Sequence, residues 1–171
     1  MAIKNHEGKK VVRRGGNNPS PYLRKKTPLL TTGIDWESKK VLDLGCGAGR
    51  NSKFLKTMGF KDVTSLDFFD DYGQRWLASD AIPAADSSKD IILCNYLFMF
   101  LADGELEKVF KEISRVAAGG CILIVEVMPI KTSLTPDDVK VAELKEKVLK
   151  SFESWHIGHI VKYRFMLEKS S

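Results

Sequence analysis

The chain has 171 residues, about one domain with room for one good core. Its 43% hydrophobic and 29% charged residues fit an ordinary globular chain, and no apolar run approaches the roughly 20 residues of a membrane span. The net charge of +5 is uneven: residues 1–26 carry eight basic side chains against one acid, Glu7, leaving 19 basic and 21 acidic residues for the rest.

Residues 1–32 read as a basic, largely irregular arm, and residues 33–171 as the folded body. Gly15-Gly16-Asn17-Asn18-Pro19-Ser20-Pro21 is all turn chemistry, followed at most by one short turn near Tyr22-Leu23. Clustered Lys and Arg in such an arm can hold the phosphates of a nucleic acid. No apolar core follows Met1-Ala2-Ile3-Lys4, so no secretory signal is expected. The three cysteines, Cys46, Cys94 and Cys121, are odd in number and form no C-x-x-C pair. Neither a disulfide framework nor a zinc site is indicated, and a reducing, cytoplasmic setting is expected.

The body opens on Lys40-Val41-Leu42-Asp43-Leu44-Gly45-Cys46-Gly47-Ala48-Gly49-Arg50-Asn51. A short apolar run suits a buried strand. Three glycines at alternate positions then let the chain turn sharply and bring its backbone close to a ligand. A helix follows, with Phe54, Leu55 and Met58 on one face and Gly59 at its end. Its free N–H groups face the loop. The dinucleotide fingerprint G-x-G-x-x-G is not matched, because Arg50 stands where its last glycine belongs.

The pattern D-x-G-x-G-x-G, from Asp43 to Gly49, resembles the first motif of class I (Rossmann-like) S-adenosylmethionine (AdoMet)-dependent methyltransferases. The resemblance extends over roughly residues 38–168. It implies an α/β fold with an open, mostly parallel, seven-stranded sheet closed by a C-terminal antiparallel hairpin. It implies AdoMet as cofactor, held by Asp43, Gly45, Cys46, Gly47 and Gly49 of the loop and by residues further on. In this family N-terminal segments often fold over the cofactor, which gives the basic arm a second role, that of a lid. Asn18-Pro19-Ser20-Pro21-Tyr22 is somewhat similar to the Asn-Pro-Pro-Tyr motif of enzymes acting on exocyclic amines. Ser20 interrupts it and no apolar strand leads into it, so that reading is set aside.

Val63-Thr64-Ser65-Leu66-Asp67 reads as the second strand. Asp67 ends it some twenty residues past the loop, where an acid can accept from two ribose hydroxyls, and Phe68 can lie against the adenine face. Only twelve residues separate Asp67 from Asp80, so the second crossover helix is expected to be reduced or absent, with a short strand within residues 74–78. The resemblance assigns the Asp80 carboxylate to the adenine amine and the Ala81 N–H to a ring nitrogen.

Asp90-Ile91-Ile92-Leu93-Cys94-Asn95 is an unalternating apolar run, as in a strand covered on both faces. Asn95 and Tyr96 stand at its carboxyl end, where open parallel sheets bind ligands, and Asn95 is also a cofactor-binding candidate, expected to position the acceptor or the methionine end of the cofactor. Leu97-Phe98-Met99-Phe100-Leu101 reads as core. Asp103 is the expected cap of the next helix, Leu106, Val109, Phe110, Ile113 and Val116 its buried stripe, and Gly119-Gly120 its end. Residues 121–127 form the fifth strand. Thr135-Pro136-Asp137-Asp138 starts the last helix, with Val141, Leu144, Val148 and Phe152 along one face. Residues 152–167 read as two strands around Gly158. With the sixth strand parallel to the first five, the tip His156-Ile157-Gly158-His159 falls on the rim of Asn95 and Tyr96, where His159 can take a proton near neutral pH.

The implied activity is direct displacement of a methyl group from AdoMet, with Asn95, Tyr96 and His159 as candidate catalytic residues and no metal required. Asn95-Tyr96-Leu97-Phe98 lacks the prolines of the exocyclic-amine motif, and Cys94 and Cys121 lack the Pro-Cys context of a cytosine nucleophile. An RNA, protein or small-molecule acceptor remains, without a membrane partner. The alternative is a non-catalytic module that binds AdoMet, a nucleic acid or a protein on the same fold.

Overall fold

A computed structural model of the chain describes residues 18–70, 72–127 and 138–171, and the backbone of a small antiparallel ribbon pairing Ile3–Lys4 with Lys10–Val11. The seven-stranded sheet contains β1 (Lys40–Leu44), β2 (Asp62–Asp67), β3 (Gln74–Arg75), β4 (Lys89–Asn95), β5 (Ala117–Glu126), β6 (His156–Val161) and β7 (Arg164–Glu168). Their order is β3-β2-β1-β4-β5-β7-β6. The first five are mutually parallel, and β7 runs antiparallel to both β5 and β6. β6 is therefore parallel to the first five, as expected. Among the described residues no helix separates β2 from β3, and the second crossover helix is missing there.

Strand residues alternate between two cores. On one face Val41, Ile91, Leu93, Ile124 and Met166 pack against α1 (Pro21–Leu30) and α2 (Arg50–Met58). On the other, Leu42, Leu44, Ile92, Leu123, Val125 and Phe165 pack against α3 (Asp103–Val116) and α4 (Asp138–Ser151). The expected stripes of α3 and α4 are all buried. The sheet order reverses between β1 and β4, and the crevice outside their carboxyl ends is where a doubly wound sheet binds its ligand.

Four local expectations are corrected. The arm is not irregular throughout: residues 21–30 form a helix, α1. Ser20 caps it by accepting from the N–H groups of Tyr22 and Leu23, and Pro21 takes the first turn, where no N–H is needed. Tyr22, Leu23, Thr27 and Leu30 are buried, and each leucine contributes about 1.5–3 kcal/mol by leaving water.

Gly119-Gly120 do not end α3, which stops at Val116. They belong to an irregular stretch of β5, because Ala117 pairs with Lys89 while Ile122 already pairs with Ile91. Asp103 is the first residue of α3 rather than its cap; Glu105 reaches back to accept from the Ala102 N–H at 3.0 Å. Gly158 is not a hairpin tip but the extra residue of a bulge within β6, between the pairs Ile157–Leu167 and His159–Met166. The chain reverses at Lys162-Tyr163 instead, with Lys162 at φ 52°. The proposed start of the last helix at Thr135-Pro136-Asp137 lies outside the described residues.

Candidate active site

The glycine loop is pinned from below: the N–H groups of Gly45 and Cys46 both donate to the Leu66 carbonyl of β2, at 2.8 and 3.0 Å. Gly45, Gly47 and Gly49 all have positive φ, at 77°, 55° and 74°. A side chain at Gly45 would press on Leu97, and one at Gly49 would enter the Tyr72 ring. A Cβ at Gly47 would meet nothing within 4 Å among the described residues. Gly47 is thus the point where the backbone stands open to an approaching ligand.

Asp43 and Asp67 divide the work beneath this loop. Asp43 is 1% exposed, and its Oδ2 accepts from both the backbone N–H and the hydroxyl of Ser52, at 3.1 and 2.5 Å. It ties β1 to the first turn of α2. Burial raises its pKa to about 6, against the opposing pull of the Ser52 hydrogen bonds. Asp67, at the end of β2, accepts from the Gly47 N–H at 2.8 Å through Oδ2 and from the Phe69 N–H at 3.0 Å through Oδ1. Each oxygen holds two lone pairs, so one on each remains beyond these bonds. Cys46 is buried beside the loop. Phe68 is half-buried, edge-to-face against Phe69 at 5.0 Å.

Asp80 and Ala81 are exposed in the turn after β3. The segment behind them is held by α3: Glu112 accepts from the Ile82 N–H at 2.7 Å. Arg115 donates to the carbonyls of Ile82 and Ala84, both at 2.9 Å, and pairs with Asp86 at 2.7 Å. This bracing was not foreseen, because it joins residues about 30 apart in sequence.

Asn95 and Tyr96 do stand together, at the carboxyl end of β4, with Tyr96 at φ 63°. They meet on Glu126, the last residue of β5, which is completely buried. Glu126 Oε1 accepts from the Ser20 hydroxyl and from Asn95 Nδ2; Oε2 accepts from the Tyr96 hydroxyl and from Arg164 Nε, both at 3.1 Å. The Ser20 N–H donates to Asn51 Oδ1 at 2.9 Å. Burial and then Glu126 raise the pKa of Tyr96, so its phenol stays neutral at ordinary pH. Glu126 carried one usable signal, an acid closing the apolar run Ile122-Leu123-Ile124-Val125 as Asp67 and Asn95 close theirs. Ser20 and Asn51 carried none.

His159 is not brought to this rim. It lies in the middle of β6, paired with Met166. It contacts the Tyr22 hydroxyl through Nδ1 at 3.0 Å and borders a cleft of about 200 Å³ with Lys25, Lys26 and Arg164. His156 is further away, opposite Glu168 at the other end of the strand. The residues at the rim are those of the Lys162-Tyr163 turn, whose Tyr163 carbonyl accepts from the Val127 N–H at 2.9 Å. Cys94 and Cys121 are buried and burial raises both thiols, Cys121 to about 12, so they act as small apolar residues. Among the described residues no group of His, Cys, Asp or Glu could hold a metal ion. No described helix is long and apolar enough to cross a membrane.

This sheet order, with a glycine loop after β1 and an acid ending β2, defines a class I, Rossmann-like methyltransferase fold. Residues 42–125 match the family described as "Methyltransferase domain". It is 36% identical over 104 residues to the "Probable S-adenosyl-L-methionine-dependent methyltransferase TehB" of Haemophilus influenzae. That match covers 52% of this chain and spans 36% of the relative's length. A SAM-dependent methyltransferase from Aquifex aeolicus superposes with a TM-score of 0.54 at 20% identity, over 84% of this chain and 87% of its own. The 1,6-didemethyltoxoflavin-N1-methyltransferase of Burkholderia thailandensis, solved with S-adenosylhomocysteine, superposes with a TM-score of 0.59 at 12% identity, over 78% and 72%. At such identities these structures speak for the fold alone.

Proposed function

We propose that this protein is an AdoMet-dependent methyltransferase that transfers a methyl group by direct displacement to an RNA, protein or small-molecule acceptor. The observation that carries the reading is the Asp67 carboxylate held against the open Gly47 backbone at 2.8 Å, at the carboxyl ends of β1 and β2. Its remaining lone pairs suit the two ribose hydroxyls of the cofactor, with Asp80 and Ala81 at the adenine. AdoMet, when bound, supplies a methyl group made electrophilic by its sulfonium.

The chain's own contribution is alignment, which can be worth about 7–11 kcal/mol at best. Neither Glu126 nor Tyr96 is suited to act as a general base: the first has its lone pairs in use, the second its pKa raised. An acceptor that is already a nucleophile is therefore favoured. Calorimetry with S-adenosylhomocysteine tests cofactor binding, and labelled methyl transfer to fractionated RNA, protein and metabolites tests the activity. Absence of heat would sink the reading.

For the arm, the lid role has the better support, because Ser20 is bonded to residues of α2 and β5 on the cofactor side of the sheet. Nucleic-acid contact through the basic residues before Ser20 remains the second reading. A cytoplasmic setting is part of the proposal, supported by the odd number of cysteines and by their spacing, which makes no C-x-x-C pair.

A further inference from the structure

We infer that Glu126 is a positioning residue that couples docking of α1 to the grip on the amino-acid end of the cofactor, through the side-chain amide of Asn95. The inference rests on the AdoMet reading above.

A carboxylate offers about four acceptor sites, and Glu126 has four donors: Ser20 and Asn95 on one oxygen, Tyr96 and Arg164 on the other. With four donors directed at Glu126, Asn95 presents its NH2 group to Oε1. That leaves Oδ1 as the free end of the amide. Asn95 is only 8% exposed, and its Oδ1 has no partner among the described residues. A buried carbonyl left unpaired is a standing cost that a ligand's donor relieves.

The sheet order says which donor. The ribose acid ends β2, the open glycine follows β1, and Asn95 ends β4, on three strands that are neighbours in that order. A cofactor with its ribose on Asp67 that crosses Gly47 carries its other end toward β4. In AdoMet that end bears an ammonium group with three donors, and Asn95 Oδ1 is an acceptor waiting for one.

Ser20 joins the arm to the same node. Its hydroxyl oxygen accepts from the N–H groups that begin α1 while its proton goes to Glu126, and its own N–H goes to Asn51 in the first turn of α2. The start of α1 and the orientation of Asn95 therefore depend on one carboxylate. By linkage, a ligand that engages Asn95 must stabilise docked α1, and a loosened α1 must weaken that ligand by the same factor.

The test compares S-adenosylhomocysteine with 5′-methylthioadenosine, which keeps the adenosine and the sulfur but lacks the amino-acid end. Affinities are measured by calorimetry on the wild-type chain, Ser20→Ala and Glu126→Gln. Trypsin cleavage at Arg24, Lys25 and Lys26 reports opening of α1. In the wild type, S-adenosylhomocysteine should slow that cleavage and methylthioadenosine should not. Ser20→Ala should weaken S-adenosylhomocysteine about five-fold or more, and Glu126→Gln further, with methylthioadenosine unchanged. If the two ligands weaken together, if neither weakens, or if both protect α1 equally, the coupling is overturned. Should Glu126→Gln fail to fold, Ser20→Ala decides alone, since it removes only the hydroxyl. A wild-type chain that binds neither compound overturns the cofactor reading itself, and this inference with it.

Discussion

Gly47→Ala separates a glycine needed for folding from one needed for a ligand. Gly47 sits at φ 55°, and a Cβ there would meet nothing within 4 Å among the described residues. The cost to the fold is then only that of an L-residue in the left-handed region, about 1–2 kcal/mol. For a chain of this size that lowers the melting temperature by about 2–8 °C, well within the reserve of an ordinary domain. The added methyl does, however, fill the space through which a cofactor would reach the loop backbone beside Asp67. S-adenosylhomocysteine affinity should fall at least about ten-fold, or 1.4 kcal/mol. Gly49→Ala is the counterpart: φ is 74°, and its Cβ would lie 2.0 Å from the Tyr72 ring. It should lose markedly more stability than Gly47→Ala. Thermal denaturation and calorimetry on both variants decide the matter. A Gly47→Ala chain that binds S-adenosylhomocysteine like the parent would refute the placement of the cofactor.

What the sequence made legible was local. β1, the glycine loop and α2 are contiguous, so their signal lies in a dozen residues, and the stripes of α3 and α4 repeat at helical spacing. α1 was missed because Gly15 to Pro21 and the surrounding lysines read as a solvated tail, although Ser20-Pro21 is itself a helix start. Its buried face is sparse, four residues in ten, an exposed Pro28 lies inside the helix, and the face meets apolar partners only in Val41, Leu55, Ile124 and their neighbours in the core. Gly158 misled for a different reason: a glycine between two apolar runs marks a turn or a bulge equally well. Only the pairing with β7 distinguishes them, and that error carried His159 to the wrong place. The Glu126 node was beyond reach, since Ser20 and Glu126 are 106 residues apart and each is unremarkable alone.

Asp67→Ala should weaken S-adenosylhomocysteine and methylthioadenosine alike, by about ten-fold or more, since both carry the ribose; calorimetry showing either unchanged removes Asp67 from the site. Deleting residues 1–17 should leave S-adenosylhomocysteine affinity nearly intact and, if those residues hold a polyanion, flatten the salt dependence of RNA binding measured by filter retention. Extending the deletion through residue 26 should destabilise the fold as well, because it removes buried Tyr22 and Leu23, an effect that urea titration reads directly. Asp43→Asn tests the buried carboxyl through pH. Burial raises the Asp43 pKa from its ordinary 3.8 to about 6, so between those values the folded chain keeps a proton that the unfolded chain has released. Stability associated with this group is therefore full below about pH 4, falls as pH rises, and is lost above pH 6. The drop amounts to about 3 kcal/mol at 1.36 kcal/mol per unit. An asparagine Oδ1 can still accept from the Ser52 N–H and hydroxyl, but it carries no charge to bury. Relative to the wild type, Asp43→Asn should therefore gain up to about 3 kcal/mol between pH 4 and pH 7 in urea denaturation. Parallel pH profiles for the two chains would mean that Asp43 titrates as an ordinary carboxyl, and that burial beside the Ser52 pair does not hold its proton.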